Sequence, residues 1–291
     1  MKMTVCAIVV TYNRSKLLRK CLAAIENQSV NVDHIMVIDN HSNDSTQSIM
    51  EDKVSKSRRF IYKRLDDNYG GAGGFKRGIS AGMNVTGDDY FWIMDDDTIP
   101  TETALEKLLD AAQAVPNFGF LAANVHWKDG TPMNVPWPAK DWAEKAKNDL
   151  VKVTISTFVS LFVSRANIRR VGLPLEEFFI WGDDVEYTLR LSKQGPGYFV
   201  CDSLVVHESS SNESPSIYTD SAGRIDRYYY LYRNELYIDR KHRTKRRCIR
   251  IFLRDLGVSG KVLIKGQDHK LQRANVVLKG AFAGLKFSPK G

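Results

Sequence analysis

Cysteine is scarce in this 291-residue sequence: Cys6, Cys21, Cys201 and Cys248 are scattered and form no CxxC pair. That weighs against a disulfide framework or a zinc site and leaves mostly small packed hydrophobes. Long apolar runs are missing too. Stretches such as Cys6 to Val10 and Phe158 to Val163 fall far short of the ~20 residues that cross a bilayer. The opening residues lead straight into a strand-like run, without the charged head, apolar middle and small-residue cleavage site of a secretory signal, so the expected location is cytoplasmic. No internal repeat or disordered low-complexity tract is evident.

What remains is the composition of a folded chain, 43% hydrophobic and 26% charged, long enough to bury a sizeable core. The net charge of +8 conceals an asymmetry: residues 224–291 hold 18 Lys/Arg against 5 Asp/Glu, and residues 1–223 hold 24 against 29. A mildly acidic body with a basic tail points the tail toward an anionic surface.

The first half alternates β-rich and helix-like runs. Strands are expected at residues 4–10, 34–39, 59–65, 90–95 and 118–124, and helices at 15–28, 44–53, 74–84 and 101–115. In the first helix Leu17, Leu18, Cys21, Leu22 and Ile25 fall on one face. The alternation implies a mainly parallel sheet covered on both sides, with ligands in the crevice beyond the carboxyl ends of the strands. Polar residues stand at each of those ends: Thr11 to Arg14, Asp39 to Ser42, Asp66 to Tyr69 and Asp95 to Asp97. A Pro/Trp-rich loop follows residue 130. A strand-like run at 151–164, a helix near 183–193 and a strand at 198–207 complete the body, and a helical tail follows a Ser/Asn/Pro-rich loop.

Three consecutive carboxylates, Asp95, Asp96 and Asp97, follow the apolar run Tyr90 to Met94. Packed like charges repel unless neutralised, and an oxygen-liking Mg²⁺ or Mn²⁺ is the natural partner. In an extended segment Asp95 and Asp97 would share one side, with Asp96 free to face a ribose. A solvated acidic turn before the next helix is the competing account. The glycine-rich stretch Asn68 to Gly78, with Lys76 and Arg77, reads as a loop into a helix that suits a diphosphate or serves as a tight turn. It is neither a Walker A motif nor a dinucleotide fingerprint. Trp181-Gly182-Asp183-Asp184-Val185-Glu186 opens a helix, where acids cap and complement the dipole or bind sugar and act as a general base. His207 ends a strand, ordinarily a structural place for histidine.

Taken together, Val9 to Arg14, Val37 to Asn40, Asn68-x-Gly-Gly-Ala-Gly-Gly-Phe75, Asp95 to Asp97, Trp181-x-Asp-Asp-x-Glu186 and His207 resemble family 2 glycosyltransferases. The likeness is to the bacterial galactofuranosyltransferase and rhamnosyltransferase branch and spans about residues 4–210. It implies the GT-A fold, a Rossmann-like nucleotide-binding mixed sheet flanked by helices, over residues 1–215, with a basic, aromatic helical region at 216–291. It implies inverting transfer from a nucleoside diphosphate sugar with Mn²⁺ or Mg²⁺. Thr11, Asn13, Arg14 and Asp39 would hold the nucleoside, with Asn68, Gly71, Gly73, Gly74, Lys76 and Asp96 also on the donor. Asp95, Asp97 and His207 would ligate the metal, Asp184 would be the catalytic base, and Trp181 and Asp183 would bind the acceptor. The form of the glycine stretch makes UDP-galactofuranose the first candidate donor and dTDP-rhamnose the alternative. A glycan or polyprenyl-linked acceptor would be met at the inner face of the cell membrane. There, eight Lys/Arg among residues 240–254, interleaved with apolar side chains, suit an amphipathic helix on anionic lipid; nucleic acid ranks lower because the body is acidic. Tyr228 to Asn234 resembles a YYxxRN-like segment of that branch. Two other classes compete. A sugar-phosphate nucleotidyltransferase would need a glycine-rich basic loop after its first strand, and a non-catalytic sugar-binding module would need neither acidic cluster.

Overall fold

The computed structural model describes residues 3–290; residues 1, 2 and 291, to which the expected division extends, lie outside the described residues. Strands β1 (Val5–Thr11), β2 (His34–Asp39), β3 (Phe60–Arg64) and β4 (Tyr90–Asp95) alternate with helices α1 (Ser15–Glu26), α2 (Thr46–Lys56) and α3 (Gly70–Val85). Next come β5 (Thr98–Pro100), α4 (Ala104–Ala114), β6 (Phe120–Trp127), β7 (Trp137–Pro138), β8 (Leu150–Ile155) and β9 (Leu161–Ser164). The body closes with α5 (Arg165–Val171), α6 (Asp183–Leu191) and β10 (Gly197–His207). Among the described residues the sheet has ten strands in the order β3-β2-β1-β4-β9-β6-β10-β8-β7, with β5 pairing β10 from outside that path.

The first four strands of that order are parallel, whereas β9 runs antiparallel to both β4 and β6 and makes the sheet mixed. The single strand-like run expected at 151–164 is therefore two strands. The chain turns at Ser160, whose φ is 60°, and β6 and β10 come between β8 and β9. An unbroken β-rich composition cannot reveal such a turn.

Every residue of β1 is buried. Val5, Ala7 and Val9 enter one core with α1 and α4, while Cys6, Ile8 and Val10 enter the other with α3. Both faces are covered, so the strand reads as continuously apolar. Truncating any of its larger side chains to Ala should cost about 2–4 kcal/mol.

α3 starts at Gly70, four residues before the expected start. Of the glycines that suggested a loop, Gly74 and Gly78 line its sheet-facing side, together with Gly82. A Cβ on Gly74 would lie 2.5 Å from Val10, on Gly78 2.7 Å from Ile8, and on Gly82 2.7 Å from Phe91. Glycine costs a helix about 1 kcal/mol per residue relative to Ala; here it lets the backbone rest directly on the strands.

Beyond a 3-10 turn at Ala222–Arg227 lie α7 (Tyr228–His242), α8 (Lys245–Lys265) and α9 (Lys270–Lys286). They share a core of their own around Tyr228, Tyr232, Val262 and Val277. The group is pinned to the body where His242 Nε2 meets Glu186 Oε1 of α6 at 3.1 Å. Among the described residues no helix is long and apolar enough to cross a membrane.

Candidate active site

Sheet register assembles the centre. Parallel pairing sets Thr11 beside Asp39 and Val10 beside Asp95, so the carboxyl ends of β1, β2 and β4 open into one crevice. Asp95 ends β4, but Asp96 and Asp97 form a turn into β5, so the alternation expected of an extended run does not continue. β5 pairs antiparallel with β10, Thr98 opposite His207. This brings His207 to Asp97, Nε2 lying 3.1 Å from Oδ1. The other ring nitrogen is 2.9 Å from Asn134 Oδ1; carbonyl and carboxylate oxygens both only accept, so Nδ1–H faces Asn134 and, without a metal, Nε2–H faces Asp97.

The three aspartates have different surroundings. Thr11 Oγ1 donates to Asp96 Oδ2 at 2.6 Å, and Arg14 Nη1 lies 3.4 Å from Asp96 and 2.5 Å from Asp97. Asp95 has no side-chain hydrogen-bond partner among the described residues. Burial, then the charges of Asp97 and Asp96, push its carboxyl up to about 8. Burial raises Asp96 to about 7 against the opposing pull of Arg14 and Thr11. For Asp97 burial acts upward, but His207 and Arg14 outweigh it and hold the group below its ordinary value. For His207 burial acts downward and the Asp97 and Asp95 carboxylates prevail, raising it. Two carboxylates and an imidazole with an oriented Nδ1–H make a donor set that fits Mn²⁺ or Mg²⁺. Asp97 and His207 are already in contact. Among the described residues no three acidic, His or Cys side chains are gathered closely enough to hold an ion.

A cavity of about 240 Å³ opens over Asp95 and Asp96. Of the residues expected on the donor, Thr11, Arg14, Asn68, Gly71 and Asp96 line it, together with Asp95. Asn13, Asp39, Gly73, Gly74 and Lys76 do not. Asp39 is fully buried, its oxygens accepting from Ser42 N at 2.7 Å and Tyr62 Oη at 2.6 Å. Asn13 accepts from Asn43 N at 2.8 Å. A Cβ on Gly73 would meet Tyr69 at 2.5 Å, and Lys76 closes on Glu176 at 2.9 Å. Sequence reasoning missed Tyr12, Asn40, Phe179, Ile180 and Arg227, which also line the cavity. Asn40 stood in a quoted motif. Its Nδ2 donates to Gly70 O at 2.9 Å, and its Oδ1 is buried without a partner among the described residues, an acceptor placed for a ligand N–H or O–H.

Phe179 and Ile180 wall this cavity, and the next residues, Trp181 and Gly182, wall a second one of about 400 Å³ with Trp137, Val185, Leu231 and Ile238. At this partition Asp183 and Asp184 open α6. Burial and the Asp184 charge raise Asp183 to about 8. Burial raises Asp184 only to about 6, because backbone amides counteract it; Val185 N donates to its Oδ1 at 2.7 Å. Asp183 is 7% exposed and Asp184 is more open. Near neutral pH the two carboxyls together thus hold a proton more tightly than ordinary carboxylates do, and Asp184 is the more accessible of the pair, a setting that acid–base chemistry uses.

The sequence profile of glycosyl transferase family 2 matches residues 6–169, more than half of the chain. The chain belongs to that family. It is 26% identical over 253 residues to galactofuranosyltransferase GlfT1 of Mycolicibacterium smegmatis, covering 80% of this chain and 82% of that protein. Galactofuranosyltransferase GlfT1 of Mycobacterium tuberculosis is 27% identical over 81% of this chain and 82% of its own length. Among solved structures, GalNAc-T7 with UDP, GalNAc and Mn²⁺ superposes with a TM-score of 0.65 at 13% identity, over 94% of this chain and 54% of that one. Residues 1–349 of S. aureus TarS give 0.55 at 14% identity, over 98% and 73%. The mixed sheet with flanking helices is the GT-A fold.

In this family 2 glycosyltransferase the Tyr228–Asn234 segment acquires a physical role. Asn234 Nδ2 donates to the carbonyls of Phe178, Ile180 and Trp181 at 3.0, 3.1 and 2.8 Å, and Arg233 donates to those of Glu177 and Phe178. The turn they hold is strained, with φ of 63° at both Phe179 and Trp181. Gly70 admits it because a Cβ there would lie 2.1 Å from Phe179 O. Tyr230 stacks on Phe179 at 4.9 Å and Tyr228 meets Trp181 edge-on at 5.2 Å. α7 therefore sets the partition between the two cavities.

Proposed function

We propose that this glycosyltransferase is an inverting, metal-dependent enzyme that takes a sugar from a nucleoside diphosphate, UDP-galactofuranose being the first candidate. The acceptor is a glycan or polyprenyl-linked glycan. The observation that carries this is the pair of acidic centres on either side of the Phe179–Gly182 partition. Asp95 and Asp96 line the polar cavity, with Asp97 next in the chain and His207 in contact with it, and Asp183 and Asp184 stand in the chain between Gly182 and Val185, which line the apolar, Trp-lined one. Inversion needs a base facing the anomeric carbon opposite the leaving diphosphate, and two acidic clusters separated by a wall match that need.

Thr11, Tyr12, Arg14 and Asn40 bind the nucleoside end, and Trp181 with Asp183 orients the acceptor. Asp184 takes the proton of the acceptor hydroxyl as its oxygen attacks the anomeric carbon and the sugar–diphosphate bond breaks. Asp95, Asp97 and His207 would hold a divalent cation, which when bound supplies positive charge for the departing diphosphate. Galactofuranose as donor is supported by the likeness to GlfT1 over four fifths of both chains. Residues 1–215 form the catalytic body and 216–291 an appended region that docks on an anionic cytoplasmic membrane face. In its favour, α8 exposes Ile249, Leu253, Leu263 and Ile264 along one stripe beside Arg246 and Arg250.

The test is release of nucleoside diphosphate from UDP-galactofuranose, dTDP-rhamnose and UDP-glucose, with an acceptor glycan, in Mn²⁺ and in EDTA. Metal-dependent turnover of UDP-galactofuranose above the others is the expected result. Turnover unchanged in EDTA removes the metal, and preference for another sugar removes the donor assignment.

A further inference from the structure

The cations expected to meet the donor's phosphates are spent elsewhere. Lys76 and Arg77 both close on Glu176, at 2.9 and 2.5 Å, and neither lines the polar cavity. Among the described residues two basic side chains do line it, Arg14 and Arg227. Arg14 is committed to Asp96 and Asp97. Arg227 is exposed, and its guanidinium has neither ion pair nor hydrogen bond among the described residues.

Its backbone is nevertheless fixed. Arg227 ends the 3-10 turn before α7, and its neighbours Ile225 and Tyr228 are fully buried. The Tyr228 hydroxyl donates to Asp220 Oδ2 at 3.0 Å while its ring meets Trp181. A cation with an anchored base and an unengaged head thus overlooks a cavity containing the unpaired Asp95 carboxylate. Guanidinium and carboxylate line the same space without closing on each other, as a gap meant for a ligand would require. A diphosphate is the anion that suits the guanidinium fork, and its charge grows as the sugar bond breaks.

We propose that Arg227, supplied to the donor cavity by the C-terminal region, contacts the diphosphate of the nucleotide sugar and of the nucleoside diphosphate product. This rests on the cavity being the donor site. The appended region would then complete catalysis as well as place the enzyme.

Binding separates the two claims without turnover. UDP, dTDP and GDP are titrated calorimetrically into the full-length chain with Mn²⁺, and the tightest binder and its monophosphate are then compared across wild type, Arg227→Gln and Arg227→Lys. The Gln variant should bind the diphosphate about 10–100-fold more weakly, the value of a lost charged hydrogen-bond pair. The monophosphate should change less than threefold and the melting temperature should not move, because the side chain is exposed; Lys should restore part of the loss. If the Gln variant binds the diphosphate as wild type does, or loses both nucleotides equally, Arg227 has no diphosphate role and the cavity assignment stands. If wild type binds none of the three, the cavity assignment falls and Arg227 falls with it.

Discussion

Asp95→Asn should stabilise the metal-free protein while removing one ligand of the proposed metal site, and pH sets the size of the effect. The Asp95 carboxyl rises from the ordinary carboxylate range to about 8 through burial and the charges of Asp97 and Asp96. A raised folded value means the folded state binds this proton more tightly than the unfolded chain does. The associated stability is fully present below about pH 4 and is lost as pH climbs toward 8. Each tenfold change in proton affinity is worth about 1.4 kcal/mol, so the full displacement would approach about 6 kcal/mol. The side chain is partly open to the cavity, where water screens it, and about 1–3 kcal/mol is the expected net loss. Asparagine keeps the shape and never carries the charge. For a chain of this size, melting of the variant in EDTA at pH 8 should rise by roughly 3–6 °C over wild type. The difference should be close to zero at pH 4.5. In Mn²⁺ at pH 8 the order should reverse, because wild type gains ligand-binding free energy that the variant cannot. Scanning fluorimetry at two pH values, with and without Mn²⁺, reads all of this. An Asn variant that melts with wild type at pH 8 in EDTA would refute the reasoning, as would one stabilised equally at both pH values.

Asp184→Asn should lower kcat by about 10²–10⁴-fold with diphosphate affinity unchanged. The wild-type kcat should fall below about pH 6, where the Asp184 carboxyl takes up its proton; a flat profile down to pH 5 counts against it as the base. Asn234→Ala removes one amide from three buried carbonyls and should cost about 1–3 kcal/mol in urea denaturation. It should also depress kcat more than diphosphate affinity, since the turn leads to Asp183 and Asp184. Leu253→Glu with Ile264→Glu, on the exposed stripe of α8, should abolish sedimentation with vesicles containing phosphatidylglycerol while turnover of a water-soluble acceptor persists. Vesicle binding that survives both charges would exclude α8 as the docking face.

Much of the body is legible locally. Strand–helix alternation over residues 5–114, the amphipathic α1, the polar ends of β1, β2 and β4, and the acid-rich start of α6 are patterns written in neighbouring residues. The family follows from their order. Local pattern fails where a residue's partner is remote. The glycines after Asn68 carry the composition of a phosphate loop, yet Gly74 and Gly78, with Gly82 beyond them, serve a helix lying on Val10, Ile8 and Phe91. Lys76 resembled an anion ligand until Glu176, 100 residues on, took it.

Neighbouring residues alone specify β1 to β4, β6 and β10, the carboxylates at the strand ends and a basic, helical tail, because periodicity and charge are properties of adjacent residues. Only the tertiary structure decided that His207 reaches Asp97, since that contact depends on the antiparallel pairing of β5 with β10. It alone decided that Asp39 is spent on Tyr62 and Ser42, that Asn234 holds the partition, and that Arg227 lines the polar cavity. Each of those outcomes turns on which distant side chain arrives first at a buried or half-buried polar group, and separation along the chain carries no record of that.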